Sequence, residues 1–192
     1  MIESIGRNIG LRRASHDYII STNIDIVTTP LEDSILKENV FYTVPRRDVD
    51  ESHHLSFNDY NSLYKSLWDN RDGYRTKEKF ESETDKWSLI NCCGDYQIGH
   101  KNIWNHMKGF EESILFGCGI DTNVMKKASL YSKIQVLDHY IFHLNHGKSG
   151  DRDEDESVPP MSDQNSIIRD FTNTSNSDEW GMYNENLPIE LI

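Results

Sequence analysis

The chain has 192 residues, room for one domain of ordinary size and too few for two. Hydrophobic residues make up 36% and charged residues 27%, with four Trp, nine Tyr and seven Phe, so disorder throughout is excluded. Of the net charge of −12, residues 151–192 carry −9, from 11 acidic and 2 basic side chains. Residues 1–150 are nearly balanced, which argues against sequence-independent attraction to nucleic acid or anionic lipid. No stretch approaches the roughly 18 apolar residues of a spanning helix, and Met1-Ile2-Glu3-Ser4 does not begin a signal peptide. The expectation is a cytoplasmic protein without a membrane span. Cys92, Cys93 and Cys118 form neither an even disulfide framework nor spaced metal-binding pairs and read as small buried residues.

In chain order, Ile5, Ile9, Leu11 and Ala14 are spaced for one face of a short helix, with the arginines outside it. Residues 18–27 are β-branched and aromatic, without a helical period, and read as one buried strand before the turn at Pro30. Leu31 to Lys37 suit a short helix, and Val40 to Val44 a second strand stopped by Pro45. Arg46 to Trp87 is a polar excursion, with Phe57, Tyr60, Tyr64 and Trp68 marking one amphipathic helix; His53 and His54 within it read as solvated. Trp87 to Cys93 and Tyr96 to Gly99 are a strand pair around Gly94-Asp95, and His100 to Lys108 is helical. Asp121 to Ser132 is an amphipathic helix with Asp121 as cap, Val124, Ala128 and Tyr131 inward, and Lys126 and Lys127 outward. Ile134 to Leu137 and Tyr140 to Leu144 are the last strands. The organisation expected is a core over 1–148, an acidic linker over 149–160 containing Asp151 to Glu156 and Pro159-Pro160, and a tail over 161–192 that docks through residues such as Ile167, Phe171 and Trp180.

Polar groups at the carboxyl ends of buried strands are the first candidates for chemistry in an open α/β sheet. Asn23 and Asp25, with one residue between them, can point to the same side and share a hard divalent cation or split between metal and a sugar hydroxyl, or can make an ordinary Asx turn. His143 and His146 follow the last strand, where an imidazole with a carboxylate from another strand makes a reasonable Mn²⁺ site, or a pair of surface histidines. Asp95 at a strand end and Asp121 at a helix start suit a general base, a ligand or a cap.

Read in order, these pieces carry a resemblance. Arg7-Asn8-Ile-Gly10, with Ala14, Tyr18 and then Asn23-Ile-Asp25, resembles the segment leading into the metal-binding D-x-D strand of GT-A-type, family-2-like glycosyltransferases, with Asn23 where the family has Asp. Asn91 to Tyr96 followed by Met107-Lys-Gly109-Phe110-Glu111-Glu112 is similar to that family's acceptor-side strand pair and G-G-F-D-E turn. Gly117 to Asn123 resembles its E-D-x-[DE] helix start, and Tyr140-Ile-Phe-His143 its late strand ending in a metal-binding His. The order of four such motifs over about 140 residues supports the resemblance. It implies a GT-A-like, Rossmann-like α/β fold with a mixed central sheet and flanking helices. It also implies a metal-dependent transfer of sugar from a nucleotide-sugar donor to a glycan or carbohydrate acceptor. Asp25 and His143, with His146 as the alternative, would hold Mn²⁺ or Mg²⁺; Arg7, Asn8, Asn23 and Asp25 would bind donor. Asp121 would be the catalytic base, and Asp95 would bind sugar hydroxyls. Only six residues precede Arg7, where the family has at least two βαβ units, so a further expectation is an upstream segment or second chain that completes the sheet. The reading of a different class is a degenerate, non-catalytic transferase fragment that binds glycan or protein.

Overall fold

The computed structural model describes residues 3–49, 60–69, 94–114, 120–144 and 176–185. The expected strand over 87–93, His53, His54, the three cysteines, His146, the linker and most of the tail lie outside the described residues. The elements are α1 (Glu3–Arg13), β1 (Tyr18–Thr22), β2 (Ile26–Thr28), a 3-10 turn (Asp33–Ile35), β3 (Val40–Thr43) and β4 (Arg46–Val49). They continue with α2 (Tyr60–Asp69), β5 (Tyr96–His100), α3 (Lys101–His106), α4 (Ile120–Tyr131), β6 (Lys133–Val136) and β7 (Ile141–Leu144).

The fold is mixed α/β, but where one central sheet was expected there are two. The first has the order β1-β5-β3-β6, with β3 and β6 parallel and the other pairs antiparallel; the second has the order β2-β7-β4, with β4 and β7 parallel. The difference arises at three breaks where the chain leaves the first sheet and enters the second. Asn23 to Asp25 turn between β1 and β2, Val44-Pro45 separate β3 from β4, and residues 137–140 separate β6 from β7. Proline lacks the N–H that a continuing ladder needs, so the strand stops, and the Pro45 carbonyl instead accepts from Ile141 N at 3.1 Å. The expected single strand over 18–27 is therefore two short ones, and Arg46 to Val49, read as the start of a polar excursion, is a strand.

Alternation along these strands builds the layers. Phe41 packs with Leu11, Trp104, Met107, Phe110, Val124 and Met125 against α1, α3 and α4. Its neighbours Val40 and Tyr42 face the other way and join Tyr96, Ile98, Leu137 and Ile141. In β7, Ile141 belongs to that cluster while Phe142 packs with Val49 and Leu67 under α2. Truncating the fully buried Phe41, which meets Trp104 edge to face at 4.9 Å, would cost about 3–5 kcal/mol.

Two helices bury faces that their patterns do not advertise. In α1 the buried stripe is Ser4, Asn8 and Leu11, while Ile5 and Ile9 are only half-buried and Ala14 is exposed. In α4, Lys126 and Lys127, expected outward, are buried, whereas Tyr131, expected inward, is half exposed. For Asn8 and Lys127 the reason is the turn at 108–112, whose backbone groups take polar partners inside the protein. Lys108 and Gly109 adopt left-handed backbone at φ 54° and 63°, and Lys127 Nζ donates to the Gly109 carbonyl at 2.9 Å.

The tail segment 176–185 docks on this turn and on α1. Trp180 is buried, and the Arg12 guanidinium lies between the rings of Trp180 (4.7 Å) and Tyr183 (4.4 Å). Asn176 Nδ2 donates to the carbonyls of Lys108 (2.7 Å) and Phe110 (2.6 Å). No helix among the described residues is long and apolar enough to cross a membrane.

Candidate functional site

Polar side chains from α1, the turn after β1, the residues before β5 and the start of α4 gather in one cleft. Glu3, Arg7, Asn23, Gly94, Asp95, Phe110, Ile120 and Asp121 line a cleft with room of about 100 Å³. Arg7, Asn23, Asp95 and Asp121, singled out from four separate stretches of sequence, thus meet in one place.

Arg7 is fixed on three sides. Its Nε and Nη2 donate to Glu3 Oε1 at 3.0 and 2.8 Å, Nη1 donates to Ser21 Oγ at 2.8 Å, and Nη2 also reaches Asn23 Oδ1. Asn23 hands the contact on, its Nδ2 donating to Asp95 Oδ1 at 2.8 Å, and its backbone N–H donates to the Asp95 carbonyl at 3.2 Å. Asp121 sits in the first turn of α4, Oδ1 accepting from Thr122 N at 2.9 Å. Burial holds its carboxyl above the usual carboxylate range; the nearby Asp95 adds to the rise, while the Thr122 N–H and Arg7 oppose it. Gly94 passes so close that any side chain there would run into Asp121.

Asp25 and His143 also come together, His143 Nε2 lying 3.1 Å from Asp25 Oδ2. Backbone geometry brings them there: β2 pairs with β7 so that Ile26 faces His143, and Leu144 N donates to the Asp25 carbonyl at 2.9 Å. On its other side the imidazole meets a residue that the sequence reading passed over, with Nδ1 2.8 Å from Asp48 Oδ1. Arg46 then joins the two groups of side chains. Its Nε lies 3.0 Å from Asp48 Oδ1 and its Nη1 2.5 Å from Asp95 Oδ2, so one continuous polar path runs Arg7, Asn23, Asp95, Arg46, Asp48, His143, Asp25.

One expectation needs correction. Asn8, expected to bind donor, is fully buried away from the cleft; its Nδ2 donates to the Phe110 carbonyl (2.8 Å) and Glu112 Oε1 (2.9 Å), and its Oδ1 accepts from Phe110 N (2.7 Å). It shapes the turn that brings Phe110 to the cleft. Of the two arrangements open to Asn23 and Asp25, a shared partner or a split between two, the structure has the split: the turn at Ile24 directs the first toward Asp95 and the second toward His143. Asn23 therefore belongs with the cleft, and Asp25 with the imidazole. Arg46 and Asp48 left a signal that could have found them, since alternate residues of a strand share a face and P-R-R-D places an arginine and a carboxylate two apart.

Asp25 and His143 are in direct hydrogen-bond contact, and their spacing would also admit a divalent cation between them. An ion with bonds of about 2.1 Å puts adjacent ligands about 3.0 Å apart, and a carboxylate oxygen with an imidazole nitrogen suits Mn²⁺ better than Mg²⁺, which prefers oxygen ligands. Among the described residues no group of three or more His, Cys, Asp or Glu is arranged to hold an ion by itself. Two ligands would leave the rest of an ion's coordination to water or to a bound anion. Comparison of the chain with protein-family models and with curated proteins finds no match to either, so its functional reading rests on the cleft and on the order of the motifs.

Proposed function

We propose that the chain carries out a metal-dependent transfer of a sugar from a nucleotide-sugar donor to a glycan or carbohydrate acceptor, on a GT-A-like arrangement of its sheets. The observation that carries this reading is the meeting of Arg7, Asn23, Asp95 and Asp121 in one cleft, joined through Arg46 and Asp48 to the Asp25–His143 pair. Such a site has carboxylates and an amide for sugar hydroxyls, a base with a raised pKa, and a place for a cation beside them.

Asp121 takes the proton of the acceptor hydroxyl, and its raised pKa strengthens it as a base once ionised. The freed oxygen forms a bond to the anomeric carbon while the bond from that carbon to the diphosphate breaks, and the nucleoside diphosphate leaves with the electron pair. Asp95 and Asn23 hold hydroxyls in place for this displacement, and Arg7 fixes Asn23. Asp25 and His143 would hold a divalent cation, which when bound would supply positive charge against the negative charge of the leaving diphosphate.

The test is release of nucleoside diphosphate, with matching formation of glycosylated product, from UDP- and GDP-sugars with Mn²⁺ and a panel of glycan acceptors. Release that depends on both Mn²⁺ and acceptor is expected. A folded protein that binds glycans but turns over no donor would overturn the enzymatic reading in favour of a glycan-binding module.

A further inference from the structure

We infer that Asp48 is the positioning residue of the His143 imidazole, holding the Nδ1 proton so that Nε2 presents its lone pair toward Asp25 and a divalent cation. The inference rests on the metal-assisted reading above. Three observations support it. Asp48 and His143 are register partners across the parallel β4–β7 pair, so the backbone itself sets the carboxylate beside the ring. Each ring nitrogen has one carboxylate within reach, Nδ1 at 2.8 Å from Asp48 Oδ1 and Nε2 at 3.1 Å from Asp25 Oδ2, so a proton held on Nδ1 by Asp48 leaves Nε2 for the Asp25 side. Arg46 in turn aligns the Asp48 carboxylate, with Nε 3.0 Å from Oδ1 and Nη2 donating to Oδ2 at 3.4 Å.

The Arg46 contacts also separate Asp48 from the ligand pair. With its oxygens turned to Arg46 and to the Nδ1 side of the ring, Asp48 orients a ligand instead of acting as one. Carboxylates that accept from the distal nitrogen of a metal-bound imidazole fix its tautomer and raise its basicity. The bent strands explain why the arrangement is local: Arg46 and Asp48 are alternate residues on β4, and the three-stranded sheet places both next to β7.

The experiment uses the full chain with ¹⁵N-labelled histidine. Long-range proton–nitrogen spectra assign the His143 ring proton, without metal at a pH where the imidazole is neutral and again with Zn²⁺ as a diamagnetic probe. Electron paramagnetic resonance of free Mn²⁺ gives the affinity. In the wild type the proton is expected on Nδ1 in both states, with the metal-shifted signal on Nε2. Asp48→Ala is expected to weaken Mn²⁺ binding about 10- to 100-fold, and Asp48→Asn, which keeps an acceptor oxygen, to recover most of it. Asp25→Ala should remove binding while leaving the proton on Nδ1. A ring proton on Nε2 in the wild type, or Asp48→Ala binding Mn²⁺ as tightly as wild type, would overturn the role of Asp48. If the wild type binds no Mn²⁺ at all, the metal reading fails separately, and the metal-free spectrum decides: a proton on Nδ1 that moves in Asp48→Ala supports the positioning role, and one indifferent to the substitution refutes it.

Discussion

Asp121 shows how one side chain trades stability for chemistry. Its pKa in the fold is raised by burial above its ordinary value of 3.8, so the folded state prefers the protonated form. The sign follows: the favourable contribution is complete below the ordinary carboxylate range and is lost as pH rises through the raised value, because the unfolded chain ionises first. Asp121→Asn cannot ionise and is expected to melt at a higher temperature than wild type at pH 7, with the two curves converging toward pH 3 or so, below the usual carboxylate pKa. The same variant should lower sugar transfer by about 10²- to 10⁴-fold, the usual contribution of a general base. Equal melting temperatures at pH 7 would contradict the burial of its charge. As for legibility, Asp95, Asp121 and Asn23 could be found because strand ends and helix starts are visible in sequence, whereas Arg7, inside α1, was singled out only by the resemblance. The burial of Asn8 was not, because an asparagine beside an arginine on a helix looks solvated until the turn that needs its amide has been placed.

At the scale of elements, the strands were legible wherever apolar residues crowd, as at Val40 to Thr43 and Ile141 to Leu144, and their sheet membership was not. A strand that bends from one sheet into another keeps its hydrophobic content through the break, so residues 18–27 looked continuous. Helix α4 shows the opposite failure: a Lys-Lys pair reads as a solvated face, yet Lys127 reaches inward to the Gly109 carbonyl and lies 3.8 Å from Glu111. Its ammonium is pushed down to about 8, chiefly by burial, with Glu111 and Glu112 opposing. Between that value and the ordinary 10.5 the folded protein has released a proton that the unfolded chain keeps, so stability from this group rises with pH across the window. Lys127→Met removes the titration, leaves the Gly109 carbonyl unpartnered and strips Glu111 of its cation, so it is expected to destabilise the protein by about 2–4 kcal/mol at pH 7. Denaturant unfolding should show the gap to wild type widening from pH 8 to pH 10. A gap independent of pH would mean that Lys127 keeps its ordinary pKa.

Across the whole molecule, the proposed site lies where the two sheets meet. The helices α1, α3 and α4 cover one side of the four-stranded sheet, α2 covers Phe142 and Val49 in the other, and the polar path from Arg7 to Asp25 passes from the first sheet to the second. The tail contributes by bracing the turn that carries Phe110, with Asn176 and Asn8 both donating to the Phe110 carbonyl. Sequence reasoning could expect docking from Trp180 and its apolar neighbours, but not which turn the tail would support, since that depends on contacts more than sixty residues apart. The most direct test of the account is isothermal titration calorimetry of UDP- and GDP-sugars in the presence and absence of Mn²⁺, on wild type, Asp25→Ala and His143→Ala, each shown by circular dichroism to be folded. The prediction is that at least one donor binds wild type with heat that requires Mn²⁺, and that either substitution abolishes this heat with little effect on folding. Donor binding that persists unchanged in both variants, or that is indifferent to Mn²⁺ in wild type, would contradict it.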